Sequence, residues 1–388
     1  MHKDEVNQGH GMGSELEEKD WVNITLQDLE DLAAAYAVLQ GKREITWHSP
    51  RPYSSAAIVK TASAEYLIKR SHQSFRSVDD LHQEHQFIQH LAHQGIAVSV
   101  LLPNHAGHTA TACGAWVYEV HQKLQAYDLY AEHQSWKTFF SPQHAQAAGQ
   151  FMARMHAAAL DFDQPVRRTK YLLSNQRLLD QDDLVLAIEQ RISNSAGLSE
   201  YFQNHSLSET FKAQIRHFHQ AFKTVLPKMT SLWTHNDLHA SNLLWCDASA
   251  QADVAAVIDF GLSDRTTIAY DIAVAIERNF VDWLQLHELG QADISIDHLG
   301  LAGFVQGYIA AKGDVQQLAQ VAKILPLVHI DFALYELEYF VEITQNFSHA
   351  DAAFNYLIEH TAWFDAQYGQ QFLARVADLV QWHTLHKQ

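Results

Sequence analysis

Asp237, Asn242 and Asp259 stand where short apolar runs meet polar loops, and their types suit phosphoryl transfer. The stretch W-T-H-N-D-L-H-A-S-N-L-L-W begins at Trp233, and V-A-A-V-I-D-F-G begins at Val254. Asp237 and Asn242 are separated by four residues on a loop that runs into apolar Leu243–Trp245, and Asp259 ends the apolar run Val257–Ile258. Two strands of a hairpin would present an Asp, an Asn and a second Asp on one edge. Phosphoryl transfer asks for that set: a carboxylate to orient and deprotonate an attacking hydroxyl, and oxygen ligands for Mg²⁺.

The rest of the chain has to hold these groups. A helical pattern runs over TLQDLEDLAAAYAVLQ, with Thr25 as N-cap and a stop at Gly41. Strand-like runs follow at Glu44–His48, Ser55–Thr61 and Glu65–Lys69, then a helix over Val78–Gln94 closed by Gly95. Two more strands are expected at Thr109–Cys113 and Ala115–His121. Beyond about Lys123 the pattern turns helical: Pro142–Ala159, much of 177–230, and 268–385. Only Leu232–Asp264 breaks it, with short β runs. The expectation is an α+β chain with a flexible polar tail over 1–25, a small β-rich lobe over 26–121 and a large helical lobe over 122–388.

The motifs carry a resemblance. Asp237-Leu238-x-x-x-Asn242 is similar to the kinase catalytic loop, and Asp259-Phe260-Gly261 to the metal-binding element that follows it. With His239 and the downstream Asp271-Ile-Ala, the string resembles the aminoglycoside phosphotransferase and choline kinase superfamily, over roughly residues 44–275. The resemblance implies a protein-kinase-like two-lobed fold. It also implies ATP or GTP as donor, and Mg²⁺. It makes Asp237 the catalytic base, Asn242 and Asp259 the metal ligands, Asp271 a brace under the loop and His235 a support. Position 236 departs from the pattern, with Asn where protein kinases have Arg and the small-molecule family usually has Gly. Asn tolerates positive φ, so the turn survives.

By the same resemblance a lysine on the third strand, Lys69, would hold the nucleotide phosphates and a helix acid, Glu84, would fix it; Arg70 is the competing cation. The Ser49–Ala56 loop has no GxGxxG, so Ser54 and Ser55 would meet the phosphates. Adenine would be read by backbone groups of Glu119, Val120 and His121. Arg265 would add positive charge near the γ-phosphate.

For the acceptor, a predicted helix over Ile330–Thr344 places Asp331, Tyr335, Glu338 and Glu342 on one face. Carboxylates around an aromatic ring suit an ammonium group by charge and cation–π contact; a solvated acidic face is the plain alternative. The sequence leaves the hydroxyl-bearing small molecule unnamed and the oligomeric state open. A protein Ser/Thr kinase and a non-catalytic nucleotide-binding module are the rival readings.

Composition narrows the partners. A formal net charge of −18 argues against nucleic acid and against docking on anionic membrane, and leaves cationic small molecules attractive. No apolar run reaches bilayer length and the first residues lack a secretory h-region. Cys113 and Cys246 are far apart and outside any metal-ligand spacing, which places the chain in a reducing, cytoplasmic setting. The 26 histidines include the pairs His82/His85 and His90/His93 on one expected helix; such pairs bind Zn²⁺, but the enrichment runs through the whole chain.

Overall fold

The computed structural model describes residues 8–10, 16–290 and 294–385. The chain divides into two compact units: residues 1–125 with 167–170, and 126–166 with 171–388.

The first unit is built on one antiparallel sheet. Its strands are β1 (Glu44–His48), β2 (Ser55–Lys60), β3 (Glu65–His72), β4 (Ala110–Cys113) and β5 (Trp116–Gln122), in the order β1-β2-β3-β5-β4. Period-two alternation in β2 and β3 sends Ala57, Val59 and Ile68 into a core with Tyr118 and Val120. Helix α1 (Leu26–Ala33) closes that core with Leu29 and Leu32. Thr25 and Asp28 form the expected N-terminal capping box, each side chain bonding the other's backbone N–H. The helix stops well short of Gly41. Tyr36 turns extended, buries its ring in the sheet core and accepts a bond from Thr111 Oγ1, a long-range contact that helical periodicity does not foresee. Helix α2 (Val78–His93) starts with a Ser77/Asp80 capping box and ends ahead of Gly95, whose φ of 82° suits glycine.

Of the expected flexible tail, residues 1–7 and 11–15 lie outside the described residues. Residues 8–10 and 16–18 pair as short antiparallel strands. Residues 19–25 are not a tail: Trp21 stacks on His72 at 5.1 Å, Val22 O accepts bonds from Ser55 and Arg70, and Ile24 is buried. A tryptophan and an isoleucine have apolar area to bury, and the sheet supplies the surface.

The second unit is mainly helical, with α3 (Pro142–Ala159), α4 (Leu184–Asn194), α5 (Glu209–Lys223), α6 (Ile268–Phe280), α7 (His298–Ala310), α8 (Val328–Tyr339), α9 (Phe347–Asp365) and α10 (Gln367–Leu385). Helices α3 and α7 cross backbone to backbone. A Cβ at Gly149 would lie 2.1 Å from Phe304 O, and one at Gly307 only 2.0 Å from Gln146 O, so the crossing requires glycine at both. Two short ladders interrupt the helices: β6 (Ser231–Thr234) with β9 (Asp264–Thr267), and β7 (Leu243–Trp245) with β8 (Val254–Val257). Helices α6 and α8 are buried along their whole length. No single described helix is long and apolar enough to cross a membrane.

Many histidines serve the interior. His329, on α8, is pushed down to about 3 by burial and by neighbouring His360, and its Nε2 bonds Thr361 Oγ1 at 2.9 Å. Because the folded value lies below the ordinary 6.5, the unfolded chain takes up a proton that the folded chain refuses. Stability is therefore intact above pH 6.5 and declines as pH falls from there toward 3. His329→Gln is expected to flatten the dependence of unfolding free energy on pH in that window, by up to about 1.4 kcal/mol per pH unit. Urea titrations of both chains at several pH values between 4 and 6.5 measure it, and parallel curves would refute it.

Candidate active site

The two ladders bring two loops to one end of the second unit. Residues 235–242 join β6 to β7 and residues 258–263 join β8 to β9. Ile258 N–H donates to Asn242 O at 2.9 Å, which ties the start of one loop to the end of the other. Asn236 and Asp259 both sit at positive φ, 60° and 63°. The Asn236 side chain secures its strained turn, accepting from Thr234 and Thr266 and donating to Leu262 O.

Helix α6 grips the first loop from below. Asp271 Oδ1 accepts the Asn236 N–H at 2.7 Å, while its Oδ2 takes His156 Nε2 at 2.9 Å. Asn279 Oδ1 accepts the Ala240 N–H and its Nδ2 donates to Leu238 O. His235 is fully buried and donates from Nε2 to Ile258 O. Its Nδ1 accepts the Asp237 N–H. Burial pushes that imidazole down, so it stays neutral and holds the loop. Asp271 and His235 thus both hydrogen-bond the backbone of these loops.

Asp237 lies within this frame with its side chain 15% exposed. Oδ1 faces Arg278 Nη1 at 2.9 Å, Oδ2 accepts from Asn242 Nδ2 at 3.2 Å, and His239 Nε2 is 3.7 Å from Oδ2. Burial pushes the carboxyl up to about 7, with Arg278 opposing and Asp259 adding to the rise. Arg278 is itself buried, with its guanidinium 4.7 Å from the Trp136 ring and 4.6 Å from the Phe332 ring. The sequence reading missed Arg278 and Asn279. The signal was available: both follow Asp271 by two helical turns, so the face that braces the loop returns at those positions.

Asn242 and Asp259 fit a divalent cation. The Asn242 Nδ2 is spent on Asp237, which leaves its amide oxygen as the atom a cation could take, and Asp259 is exposed on its strained turn. Both offer the hard oxygen ligands that Mg²⁺ takes.

In the first unit several expectations need correction. Lys69 does not pair with Glu84: its Nζ is 3.8 Å from Glu119 Oε1, while Glu84 faces Arg167 Nη2 at 3.4 Å. Arg167 arrives from a segment far along the chain that packs on α2, where Thr169 also bonds Asp80. Sequence distance hid that partner. Ser55 is buried and donates to Val22 O at 2.6 Å, which closes its hydroxyl to a phosphate, and the Ser54 N–H is taken by Pro52 O, which leaves Ser54 only its hydroxyl. Arg70 is committed to Asp28 and Val22 O. Glu119, Val120 and His121 lie inside β5, between β3 on one side and β4 with Leu101 and Leu102 on the other. Their backbone groups are spent within the sheet, and the backbone leaves it only after Lys123, whose N–H bonds Glu65 O.

The expected acceptor face is also filled. Asp331, Tyr335 and Glu338 are buried on α8, and Glu342 falls in the π-helical turn Phe340–Thr344. Arg191 supplies the cation: its guanidinium lies 3.6 Å from the Tyr335 ring centre and its Nη2 is 2.6 Å from Glu338 Oε2. Asp331 accepts the Asn175 N–H, and Glu342 accepts from Tyr171 and Ser195. Acids and aromatic do form a cation–π box, but a residue of α4 occupies it. Arg265 is held at the outer ladder by Asp163 and Gln164 O.

Comparison with known proteins decides the family. The profile of the phosphotransferase enzyme family matches residues 53–322, which is more than half of the chain. The chain belongs to the phosphotransferase enzyme family. It is an α+β protein of protein-kinase-like fold, and a phosphotransferase that acts on hydroxyl groups of small molecules. No curated protein sequence matches it. Among solved structures it is similar to a microcompartment-associated aminopropanol kinase, at 15% identity and TM-score 0.58, covering 91% of this chain and 99% of that one. An amicoumacin kinase solved with AMP-PNP and Ca²⁺ follows at 14% identity and TM-score 0.57, covering 89% and 96%. A Plasmodium vivax ethanolamine kinase has 14% identity and TM-score 0.50, covering 82% and 81%.

Proposed function

We propose that this phosphotransferase moves the γ-phosphoryl group of ATP or GTP to the hydroxyl of a small amine-bearing alcohol, in the cytoplasm. The observation that carries the mechanism is the setting of Asp237: a half-buried carboxylate on a loop gripped by α6, one oxygen on Arg278 and the other on Asn242. Asp237 orients the acceptor hydroxyl and accepts its proton at a carboxylate oxygen. Asn242 and Asp259 hold Mg²⁺, which when bound neutralises charge on the donor's phosphates. Lys69, on β3, holds the donor's phosphates. Rate enhancement comes from positioning, since the loose transition state needs little covalent help.

An amine-bearing acceptor is favoured by the chain's acidity and by the aminopropanol and ethanolamine kinases among its structural neighbours. The α8 acids do not support it, since Arg191 already pairs with Glu338 over Tyr335 and Asp331 is buried against the Asn175 N–H. Free Cys113 and Cys246 accord with a reducing compartment.

The test is Mg²⁺-dependent nucleotide consumption against amino alcohols, aminoglycosides and neutral sugars. Turnover with one amine-bearing class supports the proposal. Turnover with neutral sugars alone refutes the amine, and silence across the panel refutes the acceptor assignment.

A further inference from the structure

We propose that Glu119, on β5, is the carboxylate that positions Lys69 for the nucleotide phosphates, in place of an acid from helix α2. The inference rests on the phosphotransferase reading of Lys69. Register pairs Lys69 directly with Glu119 across β3 and β5, so the two side chains leave the sheet on one face as neighbours. Nζ and Oε1 are 3.8 Å apart, with Glu119 nearly enclosed.

A buried carboxylate must be satisfied, and the remaining oxygen of Glu119 is. Oε2 accepts from His85 Nε2 at 2.8 Å and from His121 Nε2 at 2.9 Å. His85 is fixed in turn by Thr109 Oγ1 at 2.7 Å. Two ring N–H groups from two different elements thus lock the carboxylate plane and leave Oε1 turned toward the lysine. Burial alone would push this carboxyl up, but Lys69 and the two histidines hold it well below the ordinary value, so it stays charged.

Glu84 is excluded from the role by its own commitments. It lies one residue before His85, a rotation of about 100° around the helix, and its side chain is 3% exposed against Arg167 at 0%. Helix α2 therefore still reaches Lys69, but through the His85 ring and Glu119. The positioning acid has moved from the helix to the strand beside the lysine.

The experiment is a direct measurement of Mg²⁺–nucleotide affinity for the native chain, Lys69→Ala, Glu119→Gln, Lys69→Ala/Glu119→Gln and Glu84→Gln, with acceptor KM as a second readout. Glu119→Gln is expected to raise the nucleotide Kd about tenfold at unchanged acceptor KM, and to add nothing once Lys69 is gone. Glu84→Gln is expected to leave the nucleotide Kd within about twofold of native. Native affinity in Glu119→Gln, or an equal loss in the Lys69→Ala background, overturns the proposal. If Glu119→Gln does not fold, Glu119→Asp keeps the charge and withdraws it from Lys69; a native Kd there overturns the proposal equally. A native chain that binds no nucleotide refutes the phosphotransferase reading as well. Binding weakened by Lys69→Ala and Glu84→Gln but not by Glu119→Gln refutes the Glu119 assignment alone.

Discussion

A chain carrying Asp237→Asn is expected to bind Mg²⁺–nucleotide as the native chain does and to turn over about 10²–10⁴-fold more slowly, the usual worth of a positioned base. Asparagine fills the same volume and can still receive Asn242 Nδ2, so the loop keeps its shape. What it lacks is a basic oxygen for the acceptor's proton and a charge for Arg278. The comparison variant is Asp259→Ala, which leaves the base and removes an exposed cation ligand; its loss should fall on metal-dependent nucleotide affinity. Steady-state kinetics and equilibrium binding on the two variants separate the roles. Near-native kcat in Asp237→Asn would remove Asp237 from the chemistry altogether.

Asp271→Ala is expected to damage both fold and rate, although Asp271 is fully buried beneath the loop and its bonds go to protein groups. Its two oxygens satisfy the Asn236 N–H and His156 Nε2, and the Asn236 turn is held at a φ of 60°. Removing the carboxylate strands two buried polar groups, at about 1–3 kcal/mol each, so a loss of about 2–6 kcal/mol should appear in urea unfolding. The loop it releases carries Asp237 one residue later. A shift of about 1 Å at the reacting group costs on the order of 10²-fold in rate, which is the fall expected in kcat. Asp271→Asn keeps an acceptor for the Asn236 N–H and should recover part of each. A variant with native stability and native kcat would show that Asn279, Arg278 and the ladders hold the loop without Asp271.

Both predictions concern residues that the sequence exposed through local pattern. Asp237, Leu238 and Asn242 lie within six positions, and Asp259 follows two residues after the paired strand, so one stretch of chain carries the proposed cation ligands and base. The positive φ of Asn236 was legible for the same reason, because a turn's backbone demand falls on the residue at that place. Strand positions were legible too, although β3 runs to His72, further than its apolar residues suggested, since ladder pairing with β5 extends past the hydrophobic pattern.

The misreadings have a common cause. Lys69 and Glu84 were joined because the resemblance pairs a third-strand lysine with an acid of the next helix, yet Arg167, from far along the chain, takes Glu84, and Glu119 lies beside Lys69. The α8 acids were offered to a ligand because Arg191, which pairs with Glu338 and covers the Tyr335 ring, belongs to α4. Ser55 was offered to a phosphate because Val22, which takes its hydroxyl, sat in a supposed tail.

By itself, then, the sequence determined the reaction class and the α+β kinase-like architecture, and it singled out Asp237, Asn242 and Asp259 as the candidates for the chemistry, since these depend on residue types at short spacing. Only the tertiary structure decided which charges are already spent, because a buried carboxylate or guanidinium must find an opposite partner wherever the fold brings one, and that partner's place in the chain is unconstrained.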